Sequence, residues 1–237
     1  IVALGGGSWQ KTGSLGDWFE IFAKKNIKCV PFEASNSGLV LDSKLLDEDL
    51  EGGHIKNCRL ISAEYSKLGD VVLTRYGLEG APAYAMNRDF RNGHKIVIDF
   101  KPSLSGIDIV NRLHKAKNIT EGLKNLKLSK IAIQWIKDSV SKEDYLNTEK
   151  LANLIKSFEL PVVGLRPIDE VISTVGGIDL TEIDDNFQLK KLPNYYCIGE
   201  MLDWDAPTGG YLIQGAVSTG AKAAHSIILN LGRFEVN

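Results

Sequence analysis

Three cysteines, Cys29, Cys58 and Cys197, are all that the chain of 237 residues carries, and no two of them form a C-x-x-C pair. An odd, widely spaced set excludes both a disulfide framework and a cysteine zinc site. The 4 histidines, His54, His94, His114 and His225, follow no metal-ligand spacing, so no metal is expected. An excess of one charge is also lacking: 28 Lys and Arg stand against 30 Asp and Glu, for a net charge of −2. That balance gives no electrostatic reason to expect nucleic acid as a partner. No run reaches the roughly 18 apolar residues of a membrane helix. The chain opens without a charged, cleavable leader, and unpaired thiols fit the reducing cytoplasm. A phosphate-loop lysine motif and a G-x-G-x-x-G spacing after a strand are both absent. No Ser-His-Asp or Cys-His set is recognisable, so the catalytic residues stay unknown at this stage.

What is present is an ordinary globular composition, 43% hydrophobic and 24% charged, enough for one large or two modest cores. Leu15, Trp18, Phe19 and Phe22 recur at helical spacing, and Asn26 to Phe32 then reads as a strand, together a crossover unit of an α/β sheet. Trp18 and Phe22 read as core. From about Asn36 the pattern shortens and alternates: His54 to Ser62, Val71 to Arg75 and Lys95 to Phe100 read as strands, with Gly52-Gly53, Gly69-Asp70 and Asn92-Gly93 as turns between them. This predicts a β meander or barrel-like insert. From Gly106 to Phe158 the period becomes helical, predicting three or four short helices. Lys115, Lys117, Lys124, Lys127 and Lys130 cluster here, interleaved with Glu121 and leucines, and read as a solvated helical face. The chain turns extended again at Leu160 to Leu165.

The densest signal lies near the C-terminal end. Tyr195 to Ile198 reads as a short apolar strand that ends at Gly199-Glu200, and Thr208-Gly209-Gly210 opens a helix from Tyr211 to Leu231. A carboxylate at Glu200 suits a sugar hydroxyl, and free N–H groups at a glycine-rich helix mouth suit electron-rich oxygens. Each fragment is also ordinary turn chemistry. Asp203 is open between a ligand role and a cap on the following turn. A second glycine cluster, Gly5-Gly6-Gly7, follows the apolar Ile1 to Leu4, which reads as the tail of a strand; a tight strand-to-loop turn accounts for it equally well.

Four ordered motifs make the chain resemble the BaiN/YhiN-type FAD-binding flavoproteins: Ala3 to Trp9, Leu73 to Pro82, Val175 to Ile178 followed by Glu182 to Asp184, and GEMLDWDAPTGGYL from Gly199 to Leu212. The resemblance implies an α/β fold built from part of a discontinuous Rossmann-like FAD-binding domain, an inserted β-rich, barrel-like domain and a small helical subdomain. On that pattern residues 1–36 belong to the FAD-binding domain, 37–104 to the insert and 105–160 to the helical subdomain, and 161–237 return to the first domain. It implies FAD as cofactor, with Glu200 accepting from a ribityl hydroxyl and Gly199 letting the backbone approach. Gly5 and Gly6 then stand by the ribose and pyrophosphate, Gly209, Gly210 and the Tyr211 backbone face the pyrimidine edge of the flavin, and Thr208 and Leu212 are further cofactor-binding candidates. Thr74, Arg75, Gly176 and Gly177 become substrate-side candidates, although Arg75 also suits a surface ion pair. The family's glycine fingerprint is not in this sequence. The expectation is therefore the C-terminal portion of an FAD-dependent oxidoreductase acting on an unidentified small molecule, with an upstream half or a complementing chain holding the rest. The alternative expectation is a truncated, non-catalytic fragment or partner-binding module that cannot hold FAD alone.

Overall fold

Strand pairing divides the chain before anything else does. The structure, a computed structural model, describes residues 1–63 and 65–234. Its strands are β1 (Cys29–Ser35), β2 (Leu39–Leu41), β3 (His54–Ile61), β4 (Ser66–Thr74), β5 (Gly77–Glu79), β6 (Ile96–Asp99), β7 (Phe158–Leu160), β8 (Val162–Leu165) and β9 (Ser173–Ile178). Among the described residues, β1 and β9 form a two-stranded sheet of their own, and the other seven form one sheet in the order β7-β6-β3-β4-β5-β2-β8. Two compact units follow the same division: unit 1 is residues 1–37 with 166–237, and unit 2 is residues 38–165.

Unit 2 is antiparallel throughout its sheet. The β-rich insert is present, but the barrel expected from the alternating pattern is not closed by hydrogen bonds, because β7 and β8 remain as the two ends of the strand order. Those ends are consecutive in the chain, separated by Pro161 alone. Proline has no N–H to give a ladder, so the pairing breaks there; its carbonyl still accepts from Asp42 N–H at 2.9 Å.

Gly69-Asp70, read as a turn, lies inside β4. Opposite it β3 bulges at Asn57, whose φ is 50°, and the Asp70 carboxylate takes the freed Asn57 N–H at 2.7 Å. Gly69 is small because Pro82 packs on it: a Cβ there would stand 2.9 Å from Pro82 Cγ. Asn92-Gly93 likewise ends the helix Asn87–Arg91 instead of joining two strands.

Five helices follow, at Gly106–His114, Ile119–Asn125, Lys130–Asp138, Lys142–Tyr145 and Thr148–Lys156. Each begins where Ser105, Asn118, Ser129, Ser141 or Asn147 accepts a first-turn N–H. Their apolar faces and the inner face of the sheet share one core, centred on Trp135, Phe100 and Phe158. The Trp135 and Phe158 rings stack at 6.0 Å, and the indole N–H reaches Leu45 O at 2.9 Å, which satisfies the polar end of a buried aromatic.

Unit 1 is assembled from shorter pieces. The helix Phe19–Ala23 lays Phe22 against Trp18, which also meets Phe32 of β1 edge-on at 5.6 Å. The expected crossover is not formed: β1 runs antiparallel to β9, so this helix does not join parallel neighbours. Parallel pairing survives as single bridges, Val2 with Cys197 and Ile178 with Leu202. Val2 N–H donates to Tyr196 O at 2.7 Å and Ile198 N–H to Val2 O at 3.1 Å. The expected strand at Tyr195 to Ile198 is thus reduced to bridges at Tyr196 and Cys197. A long helix, Tyr211–Phe234, follows. Among the described residues no helix is long and apolar enough to cross a membrane.

Candidate functional site

The N-terminal glycines and the C-terminal acid meet in unit 1. Gly7 N–H donates to Thr174 Oγ1 at 3.0 Å, and Thr174 N–H donates to Glu200 Oε1 at 3.2 Å. Gly6 sits between the two acceptors: a Cβ there would stand 2.3 Å from Thr174 Oγ1 and 3.0 Å from Glu200 Cδ. Contacts that short admit only glycine unless the threonine and the acid move. The segment from Ser8 to Ser14 folds back over this junction through a single turn at Gln10–Thr12. Ser14 Oγ donates to Gly6 O, and Trp18 Nε1 donates to Gly5 O at 3.1 Å. The result is an open cavity of about 440 Å³ lined by Ala3, Leu4, Gly5, Ser8, Trp9, Gly13, Ser14 and Glu200.

Residues 199–204 are held against the long helix. Gly199 N–H donates to Thr219 Oγ1 at 3.1 Å, and Trp204 Nε1 returns to Gly199 O at 3.0 Å. The Trp204 ring lies where a side chain on Gly215 would be, since a Cβ there would come within 2.3 Å of it. Asp203 does not cap the turn that follows it. Its Oδ1 accepts Gly176 N–H at 3.1 Å, and burial pushes its carboxyl above the usual range.

The other expected site residues fall elsewhere. Gly209 and Gly210 have φ of 112° and 92°, and no atom lies within 4 Å of where a Cβ on Gly210 would stand. With Thr208 they lead into the long helix, whose first N–H groups, at Tyr211 and Leu212, lack helical acceptors. None of these five lines the 440 Å³ cavity. Gly176 and Gly177 are buried in β9, where backbone approach accounts for both: a Cβ would stand 2.4 Å from Pro31 O at the first and 2.3 Å from Met201 O at the second. Thr74 and Arg75 belong to unit 2. Thr74 Oγ1 donates to Gly77 O at 3.1 Å across the tight β4–β5 turn, and Arg75 is exposed. Thr174 and Ser14 are site residues that the sequence reading leaves out. Thr174 stands two residues before a quoted glycine pair, a usable signal; Ser14 has none.

A family model described as the HI0933-like protein Rossmann domain matches residues 1–226. The chain belongs to this family. That assigns a Rossmann-type α/β domain to a chain whose parallel contacts run through Val2, Cys197, Ile178 and Leu202. It is also 22% identical, over 243 aligned residues, to the ribosomal RNA dihydrouridine synthase of Escherichia coli (strain K12), covering 96% of this chain. The chain spans 60% of the length of that relative.

Proposed function

We propose that this chain is the downstream portion of a BaiN/YhiN-type FAD-dependent oxidoreductase, with unit 1 as its cofactor side. The observation that carries the reading is the junction of Gly6, Thr174 and Glu200 beside the 440 Å³ cavity. A carboxyl acceptor, two serine hydroxyls and a glycine-lined wall fit the hydroxylated, phosphate-linked part of a dinucleotide cofactor. In this reading Glu200 takes a ribityl hydroxyl, held in place by Thr174 N–H. Gly5 lines the room for the ribose and pyrophosphate, Gly6 lets Thr174 and Glu200 close up beside it, and the N–H groups that open the long helix favour negative charge at the pyrimidine edge. Asp203 acts indirectly, by holding Gly176 against the segment that carries Glu200.

When bound, the flavin supplies hydride chemistry; the protein supplies orientation and polarity. The likeness to the Escherichia coli relative supports an RNA base as the substrate class of the complete flavoprotein. The whole-chain charge of −2 supplies no such hint.

The test is FAD titration, followed by flavin fluorescence, of the complete polypeptide that contains this chain. Saturable binding is expected, and a protein blind to FAD would sink the reading. A second reading, a partner-binding module without cofactor, is favoured by the exposed Ile1, Ile213, Val217 and Ile228 of unit 1. It predicts concentration-dependent association in size-exclusion chromatography together with no flavin binding.

A further inference from the structure

Between Lys101 and Lys130 the sequence carries 7 Lys or Arg against 2 acids, Asp108 and Glu121. Folding gathers part of this excess with a lysine from the sheet. Lys56 of β3 and Lys127, just beyond the helix Ile119–Asn125, line one cavity of about 300 Å³ in unit 2, together with His54, Phe100 and Ser129. Lys101, on the loop that leaves β6, lies close enough to Lys127 and Arg112 to feel their charges. Burial, then the charges of Lys127 and Arg112, lower the affinity of its ammonium for the proton.

Two acids near this group already have partners, Asp108 lying also within reach of the Arg112 charge. Asp99 is bound to Lys156 at 2.6 Å and to Lys101 N–H at 2.9 Å, and Asp108 closes the capping box with Ser105. Among the described residues the ammonium groups of Lys56, Lys101 and Lys127 have no ion-pair partner. Lys156 also donates to the Lys101 and Leu104 carbonyls at 3.0 and 2.8 Å, which fixes the loop beneath the cluster. Lys127 has φ of 53°, at a helix end where Gly or Asn is the ordinary choice. Unpaired like charges repel each other and favour an anion in their midst.

We propose that Lys56, Lys101 and Lys127, with Arg112 beside them, form a docking site for the phosphate backbone of RNA on unit 2. The proposal rests on the reading of an RNA base as the substrate class. The cations come from four separate segments, and Lys56, Arg112 and Lys127 are exposed. That arrangement suits a chain of successive phosphates better than a single enclosed anion. The near-neutral whole chain hides it, because the excess is local.

The test is fluorescence anisotropy of a labelled mixed-sequence single-stranded RNA with the 237-residue chain across a salt series. The triple variant Lys56→Gln, Lys101→Gln, Lys127→Gln is expected to weaken binding by about tenfold or more at low salt. It also flattens the plot of log affinity against log salt by about 2, from roughly 0.7 for each phosphate that is no longer neutralised. Lys67→Gln, Lys137→Gln, Lys142→Gln removes the same charge elsewhere on unit 2 and leaves both readings unchanged. The exposed pair Lys56→Gln, Lys127→Gln, checked by thermal melting, shows the same direction should the triple variant lose its fold.

Absence of RNA binding by the parent, equal losses in both triple variants, or displacement of the RNA by millimolar inorganic phosphate at constant ionic strength would overturn the proposal. The last of these would mark a small-anion site. Flavin content, measured on the complete polypeptide, separates the two ideas. No RNA binding by the parent with FAD held overturns the docking site alone; FAD binding absent with RNA held by the parent overturns the cofactor reading alone.

Discussion

Unit 2 builds one continuous core from a seven-stranded sheet and five capped helices, while unit 1 relies on a two-stranded ladder, single bridges and side-chain hydrogen bonds. The first is a run of 128 consecutive residues, from Gly38 to Leu165; the second is drawn from both ends of the chain. Unit 1 also leaves large apolar side chains in solvent, among them Ile213 at 72% and Ile228 at 66% exposure. Stability therefore concentrates in unit 2, and the glycine and carboxyl chemistry of the candidate site in unit 1. Local, capped, low-separation structure supports itself, whereas a junction such as Gly7 to Thr174, 167 residues apart, depends on the rest of the chain being in place.

The strongest way to break this contrast is Trp135→Ala. The side chain is 1% exposed and stacked on Phe158; its loss costs about 3–5 kcal/mol, read as a lower denaturation midpoint for unit 2. Gly6→Ala is the counterpart in unit 1. It forces Thr174 or Glu200 aside and costs about 1–3 kcal/mol, and weaker FAD binding is expected alongside. Equal effects of Gly6→Ala on both units would contradict their separation.

A smaller effect comes from pH. Lys28 and Thr181 hold the Asp179 carboxyl well below its usual range, and Lys191 does the same for Glu182. Both folded values are depressed, so their stabilisation is fully present above the unfolded values of 3.8 and 4.5 and is lost as pH falls through the folded ones. Asp203 acts in the opposite sense: its raised value adds stability below 3.8 that fades as pH rises through the folded value. Asp179→Asn should lower the melting temperature of unit 1 at neutral pH, where the stabilisation is fully present, and flatten the acid limb of its profile, the parent and the variant converging at low pH.

The smallest effect concerns thiols. Burial pushes the Cys58 and Cys197 thiols up to about 12, and Cys29 is raised less and is only half-buried. Alkylation of the native chain should label Cys29 first; rapid labelling of Cys197 would mean that the Val2 to Cys197 bridge opens readily.

What could be read in advance follows the same division. The helices Gly106–His114, Lys130–Asp138 and Thr148–Lys156 were legible because each carries its own apolar period, whereas Lys142–Tyr145 buries no side chain and offers no period to read. β3 and β6 were legible from alternation. Gly69-Asp70 misled because a glycine that yields to Pro82 looks, in one dimension, like a glycine that turns the chain. The helix Phe19–Ala23 and the strand after it suggested a crossover, yet direction is set by the partner β9, far along the chain. At the site, Glu200 and Gly6 were each visible as chemistry, but Thr174, which joins them, acquires its role only in three dimensions.

The most direct measurement is the dissociation constant for FAD of the complete polypeptide that contains this chain, determined by flavin fluorescence for the parent and for Glu200→Gln. Loss of a charge-assisted hydrogen bond of about 1.5–3 kcal/mol predicts weakening by about tenfold or more, with the fold intact. An unchanged dissociation constant in the variant would place the cofactor away from Glu200 and contradict the account.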